Sequence, residues 1–127
     1  MLTKTKRPKY LNLFKIRQPV MAVVSILHRV SGVFLFLAIP VLIYWLALSV
    51  RSPEDYAAAT SFFLSPWSRL IGLVLAWALA HHFFTGIRYL LMDISIGEHL
   101  PLARISAWLV FGVVGVVMLS VIGVMCL

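Results

Sequence analysis

The residues best suited to chemistry in this sequence are polar side chains that interrupt long apolar stretches. Two adjacent histidines, His81 and His82, stand within one such stretch, and His28 and Arg29 stand at the start of another. Imidazole exchanges protons near neutral pH and is a common metal ligand. Guanidinium binds anions and donates hydrogen bonds to oxygen acceptors. What these groups do depends on the environment that the surrounding chain provides.

The composition defines that environment. Of 127 residues, 62% are hydrophobic and 12% are charged, whereas soluble domains contain about 45–50% apolar and about 25% charged residues. Neither a water-soluble domain nor a disordered chain fits these values. The single cysteine, Cys126, excludes an internal disulfide and a cysteine-rich metal site. The sequence therefore predicts a small integral membrane protein.

Three apolar stretches are long enough to cross a bilayer, which takes about 20 residues of helix. They cover residues 30–50, 70–87 and 105–127. Inside a membrane only helices and closed barrels satisfy the backbone hydrogen bonds. Because none of the three stretches alternates with period two, the predicted fold class is an all-α membrane protein with three transmembrane helices.

The flanking residues give the boundaries of one membrane-anchor domain. Ser52, Pro53 and the two acidic residues after them are typical of a helix start, with an N-cap, a first-turn proline and first-turn acids. The predicted elements are a basic arm at 1–19, helices at about 22–50, 66–91 and 102–127, and a short interfacial helix at 53–64.

The charge distribution orients these helices. Eleven Lys and Arg against four Asp and Glu give a net charge of +7, but the excess lies in the first 17 residues, so no nucleic-acid partner is expected. Cytoplasmic flanks carry most Lys and Arg. The N-terminus is therefore predicted inside, and the C-terminus outside, a bacterial inner membrane. The first apolar run has 21 residues, whereas the apolar region of a signal peptide has about 7–15. The run is therefore expected to be a membrane span and not a cleaved signal peptide.

Polar residues on the first predicted helix have two interpretations. Four of them follow the i, i+3, i+4, i+7 spacing that places side chains on one helix face. They are Ser25, His28, Arg29 and Gly32. Arg29 alone fits an interfacial side chain, and Ser25 alone fits a hydroxyl bonded to its own backbone. Their shared face is equally consistent with a binding site near the cytoplasmic boundary.

The histidines of the second predicted helix suggest a haem ligand. His82 precedes Arg88 by six residues, about 9 Å of helical rise, so it is expected in the cytoplasmic half of the membrane. Such a histidine either hydrogen-bonds a neighbouring helix or serves as an axial ligand of a b-type haem. Ala78 and Gly86, one turn to each side, are small enough to let a flat macrocycle approach.

A haem bound by His82 needs its second ligand from another polypeptide. Adjacent helical residues point about 100° apart, so His81 and His82 cannot bind opposite faces of one macrocycle. The third predicted helix has no histidine, and His28 is expected near the interface rather than at the depth of His82. Given a haem, this geometry predicts a partner membrane subunit.

Two motifs resemble the signatures of the succinate dehydrogenase cytochrome b subunit family. They are SILHRVSG at residues 25–32 and HFFTGIRYLLMD at residues 82–93. The resemblance covers nearly the whole chain and implies the larger membrane anchor of a succinate:ubiquinone oxidoreductase. The chain departs from the family at Tyr89, where many members have histidine.

This resemblance implies cofactors and partners. The chain is expected to bind haem b together with a second anchor subunit and to form part of the ubiquinone-reduction site. Succinate oxidation would occur on a flavoprotein subunit, with an iron–sulfur subunit passing on the electrons, so the isolated chain is not expected to be catalytic. The expected partners are these three subunits and membrane lipid.

The resemblance also implies roles for single residues. His82 corresponds to the axial haem ligand, and Ser25 and Arg29 correspond to quinone-binding residues. His28 and Arg29 correspond to residues near the haem propionates, and Arg88 is predicted to be a further propionate contact at that end of the membrane.

Asp93 and the direction of the reaction leave alternatives open. Asp93 lies just past the second predicted helix, where it either supplies protons for quinone reduction or only caps the helix in a solvated loop. An anchor subunit of a fumarate reductase, running the reverse reaction, is one alternative function. A structural membrane protein without haem is the other.

Overall fold

The computed structural model describes residues 17–126, and this part of the chain is helical apart from short connections. Its helices are α1 (Val20–Ser49), α2 (Pro53–Phe63), α3 (Pro66–Asp93) and α4 (Leu100–Cys126). Of these, α1, α3 and α4 are long and apolar enough to cross a membrane, which confirms the predicted three-span, all-α fold. The basic arm lies outside the described residues as far as residue 16, as does residue 127.

The short helix α2 begins at a local capping arrangement. Ser52 Oγ accepts a hydrogen bond from the backbone N–H of Asp55 at 3.1 Å, and a proline occupies the first turn. Arg51 Nε donates to Asp55 Oδ2 over 2.6 Å, and this hydrogen bond lowers the pKa of the Asp55 carboxyl. At the other end of α2, Phe62 stacks on Trp45 of α1 with ring centroids 4.2 Å apart. The loop between α1 and α3 is thereby packed onto α1.

Helix α3 lies at the centre of the bundle and packs against both α1 and α4. The buried apolar residues are mostly small, which lets the helix backbones approach closely. They are Val24, Ala59, Ala78, Ala80, Ala103, Ala107, Val110 and Val114. The outward faces of α1 and α4 are apolar and exposed, as expected of surfaces that face lipid or another membrane subunit.

Candidate functional site

The rings of His28 and His82 meet where α1 packs against α3. They stack with centroids 4.1 Å apart and an angle of 10° between their planes. Gly32, one turn further along α1, leaves space for this contact, because a Cβ there would lie only 3.1 Å from His82 Cε1. On α3, a Cβ at Gly86 would lie 3.8 Å from His28 Nε2. The two motifs of the sequence therefore form one site across the α1–α3 interface.

The backbone of α1 orients the His82 ring. His82 Nδ1 lies 3.2 Å from the carbonyl oxygen of His28 and 3.4 Å from Ser31 Oγ. The buried Ser31 hydroxyl donates its one proton to the same carbonyl at 2.8 Å. Both oxygens near Nδ1, the His28 carbonyl and Ser31 Oγ, can therefore act only as acceptors toward it. This network assigns the proton to Nδ1 and leaves a lone pair on Nε2. Metal-ligating histidines typically donate their other ring N–H to a backbone carbonyl in this way.

His81 occupies a different environment from its neighbour. It is fully buried, and its ring packs against Trp77 and Phe111, with centroid distances of 5.6 and 5.9 Å. His81 Nε2 lies 3.4 Å from the carbonyl oxygen of Val24. This contact fits the interpretation in which a membrane histidine hydrogen-bonds a neighbouring helix. Of the two adjacent histidines, it is His82 that stacks on His28.

Two expectations about this region are wrong. His28 is not shallower than His82, because the two rings are stacked with centroids 4.1 Å apart. Helix α1 already begins at Val20, so His28 lies more than two turns inside it. The space expected beside Gly86 is taken by the His28 ring, and Ala78 is fully buried. A flat group that binds His82 Nε2 must therefore approach from the side that α1 does not cover.

Ser25 and Arg29 lie at the edge of the α1–α3 contact. Arg29 is exposed and Ser25 is partly buried, whereas His28 and Gly32 face α3 directly. Neither Ser25 nor Arg29 makes a side-chain hydrogen bond to another residue of 17–126. Because they are one helical turn apart, they form a pair of available donors beside the histidines.

Arg88 lies at the same end of the bundle but on another face of α3. It is 6% exposed, its Nε donates to Ser106 Oγ at 2.9 Å, and its Nη2 donates to the Ala103 carbonyl at 3.1 Å. The six residues from His82 to Arg88 correspond to about 1.7 helical turns, which directs Arg88 toward α4. Arg88 thus lies at the predicted end of the bundle but faces α4 and not the α1–α3 interface, and its contact with a haem propionate stays a prediction.

Two contacts of the site were not foreseen from the sequence. Tyr89 lies edge-on to His28, with ring centroids 5.3 Å apart, and Ser31 reaches His82 as described. Their spacings, seven residues after His82 and three after His28, are the signal that would have identified them. Asp93 is exposed at the end of α3, and its role in proton supply stays a prediction.

The fold and site together define a class of protein: a small helical membrane protein with two stacked histidines between two of its membrane-spanning helices. The model of the succinate dehydrogenase/fumarate reductase transmembrane subunit family matches residues 3–122. The chain belongs to this family.

Individual relatives agree with the family match. The succinate dehydrogenase cytochrome b556 subunit of Coxiella burnetii is 40% identical over 107 residues, which cover 84% of this chain and 86% of that protein. The subunit of the same name in Rickettsia conorii is 32% identical over 127 residues, covering 95% and 98% of the two chains. The Paracoccus denitrificans subunit is 31% identical, covering 84% and 82%. This chain is thus similar to these subunits over most of their length.

Proposed function

We propose that this chain is the cytochrome b anchor subunit of a succinate:ubiquinone oxidoreductase in a bacterial inner membrane. In this assignment it holds haem b jointly with a second anchor subunit. A flavoprotein subunit and an iron–sulfur subunit deliver the electrons of succinate. The observation that carries the proposal is the His82 ring, whose Nδ1 faces the His28 carbonyl and whose Nε2 is thereby left for iron.

The residues around His82 fit a b-type haem. The contact of Nδ1 with a carbonyl fixes the tautomer and the ring orientation that an axial ligand needs. The buried Nε2 of His28 has no hydrogen-bond partner within residues 17–126, and a propionate oxygen would satisfy it. Arg29 supplies a cation on the same helix. When bound, haem accepts and releases single electrons.

Ser25 and Arg29 are the proposed quinone-binding pair. The Ser25 hydroxyl and the Arg29 guanidinium both donate hydrogen bonds, and quinone carbonyl oxygens accept them. The Arg29 charge also stabilises the negative charge that develops on those oxygens during reduction. Conversion of a quinone to a quinol takes up two electrons and two protons, and Asp93 is the proposed source of protons from the cytoplasmic side.

Deleting this chain is expected to separate two activities of the complex. Succinate-dependent reduction of ubiquinone by membranes should fall to background, because the quinone site is lost. Succinate oxidation by a soluble artificial acceptor should persist, because the flavoprotein and iron–sulfur subunits carry that reaction. Reintroducing the intact chain is the control. Undiminished quinone reduction in the deletion strain would contradict the assignment. In the strain with the intact chain, quinol-driven fumarate reduction that is faster than succinate oxidation would assign a fumarate reductase instead.

Enlarging Gly32 is expected to weaken haem binding without removing a ligand. In Gly32→Leu the new side chain meets the His82 ring, since its Cβ alone would lie 3.1 Å from Cε1. Displacing the ring from the His28 carbonyl should lower haem affinity about 10- to 100-fold, which is the usual effect of losing a hydrogen bond that orients a metal ligand. The measurement is a haem titration of the purified complex, expressed per flavin.

Gly72→Leu is the matched control for this substitution. A Cβ at Gly72, on α3, meets nothing within 4 Å, so the same added side chain is expected to leave haem binding unchanged. Equal haem affinity in Gly32→Leu and Gly72→Leu would show that the Gly32 contact does not hold the His82 ring in place.

A further inference from the structure

A second polar feature lies between α3 and α4, where a buried cation borders an apolar cavity. The cavity has a volume of about 400 Å³, within the range of about 300–1,000 Å³ that is usual for small-molecule sites. Its walls include Phe84 and Leu91 of α3 and Leu109 and Val113 of α4. Among residues 17–126, Arg88 is the one charged residue that lines it.

Arg88 has no acidic partner within residues 17–126, where the ion pair that forms is Arg51–Asp55. Two of its N–H groups are donated to neutral oxygens, Ser106 Oγ and the Ala103 carbonyl. A guanidinium has five N–H groups, so three remain for another acceptor. Buried charges in proteins are normally paired, and Arg88 is 6% exposed. The unbalanced charge therefore favours an anion.

Arg88 is also expected near the boundary between the hydrocarbon core and the lipid head groups. Helix α3 has 28 residues, about 42 Å of rise, whereas the hydrocarbon core of a bilayer is about 30 Å thick. A centred α3 therefore extends about 6 Å beyond the core at each end. Arg88 stands five residues before Asp93, about 7.5 Å from the end of the helix. Its backbone is thus at the boundary between hydrocarbon and head groups.

We propose that the groove between α3 and α4 binds one anionic phospholipid. The phosphate contacts the Arg88 guanidinium, and an acyl chain lies along the apolar wall that includes Leu109 and Val113. Basic pockets between membrane helices on the cytoplasmic side typically recognise such head groups. The proposal rests on the three-span membrane fold and not on the haem, because Arg88 faces α4 whereas the His82 ring packs against α1.

The test uses the whole complex, purified in detergent and analysed by native mass spectrometry. Arg88→Gln removes the cation, and Leu109→Trp fills the groove from a side chain that is 61% exposed. Arg104→Gln, an exposed position, is the control for an equal loss of charge. Wild type and Arg104→Gln are expected to retain an anionic phospholipid on this chain, and the other two variants are expected to lose it.

A lipid titration measures the head-group preference of the same proteins. Phosphatidylglycerol is expected to raise the Tm of the wild-type complex more than phosphatidylcholine does. Arg88→Gln should need about tenfold more phosphatidylglycerol for half of the effect, because a charge-assisted hydrogen bond is lost. Inorganic phosphate should stabilise less than the lipid, since it lacks the acyl chain.

Three results would overturn the proposal. One is equal lipid retention in wild type, Arg88→Gln and Leu109→Trp. Another is stabilisation by inorganic phosphate or phosphatidylcholine as strong as that by phosphatidylglycerol. The third is loss of haem rather than lipid from Arg88→Gln, which would assign Arg88 to a haem propionate. The haem content of the wild-type complex reports on the proposed function separately.

Discussion

The His82→Leu complex is expected to lose haem b or to bind it with altered ligation. Leucine fills a similar space but offers no lone pair to iron, so one axial bond is removed while the packing of α3 on α1 is largely kept. Loss of a residue that only hydrogen-bonds a metal ligand typically lowers metal affinity by about 10- to 100-fold, so removal of the ligand itself should have at least that effect. The measurement is the haem-to-flavin ratio of the purified complex.

His81→Leu is the matched control, since it makes the same change at the adjacent position of α3. His81 is fully buried and packs against Trp77 and Phe111, so its loss is expected to affect stability rather than ligation. Haem that remains in His82→Leu should disappear in the double variant His28→Leu/His82→Leu. The reason is that the His28 ring, stacked 4.1 Å from His82, is the nearest imidazole that could replace it as a ligand. Unchanged haem content and ligation in His82→Leu would contradict the assignment of His82.

Quinone reduction is expected to fall about 10- to 100-fold in Arg29→Ala, in proportion to the loss of one hydrogen bond from a charged donor. Succinate oxidation by an artificial acceptor should stay near the wild-type rate, because Arg29 is exposed and makes no hydrogen bond within residues 17–126 that assembly would need. The two activities are measured side by side on the same preparation.

Arg69→Ala is the control for removing an exposed arginine, because Arg69 lies in the first turn of α3, at the opposite end of that helix from Asp93. It is expected to leave both activities unchanged. Ser25→Ala should lower quinone reduction less than Arg29→Ala, since a neutral donor forms the weaker hydrogen bond. Equal loss of both activities in Arg29→Ala would argue for failed assembly and against a specific role at the quinone.

The spans were predictable because their physical causes are local. A run of about 20 apolar residues predicts a membrane helix regardless of what packs against it. The capping of α2 is equally local, since Ser52 accepts from the backbone of Asp55, three residues away. For the same reason, the histidines and arginines within apolar stretches were recognisable as candidate site residues from type and position alone.

The contacts among those residues depend on how far one helix is shifted along another, which residue spacing does not define. Stacking of His28 on His82 requires the axial offset between α1 and α3 that the glycine contacts permit. The hydrogen bond from His82 to the His28 carbonyl joins residues 54 positions apart. Arg88 was placed by its end of the membrane, but the bonds to Ser106 and Ala103 that turn it toward α4 are tertiary.

The most direct test of this account is the dithionite-reduced minus oxidised visible spectrum of the complex, isolated from native membranes by a tag on this chain. Wild type, His82→Leu and His81→Leu should be measured together. A b-type signal is expected in wild type and in His81→Leu, and it should be lost or shifted in His82→Leu. The absence of a haem signal from an intact wild-type complex, or an identical signal in His82→Leu, would contradict it.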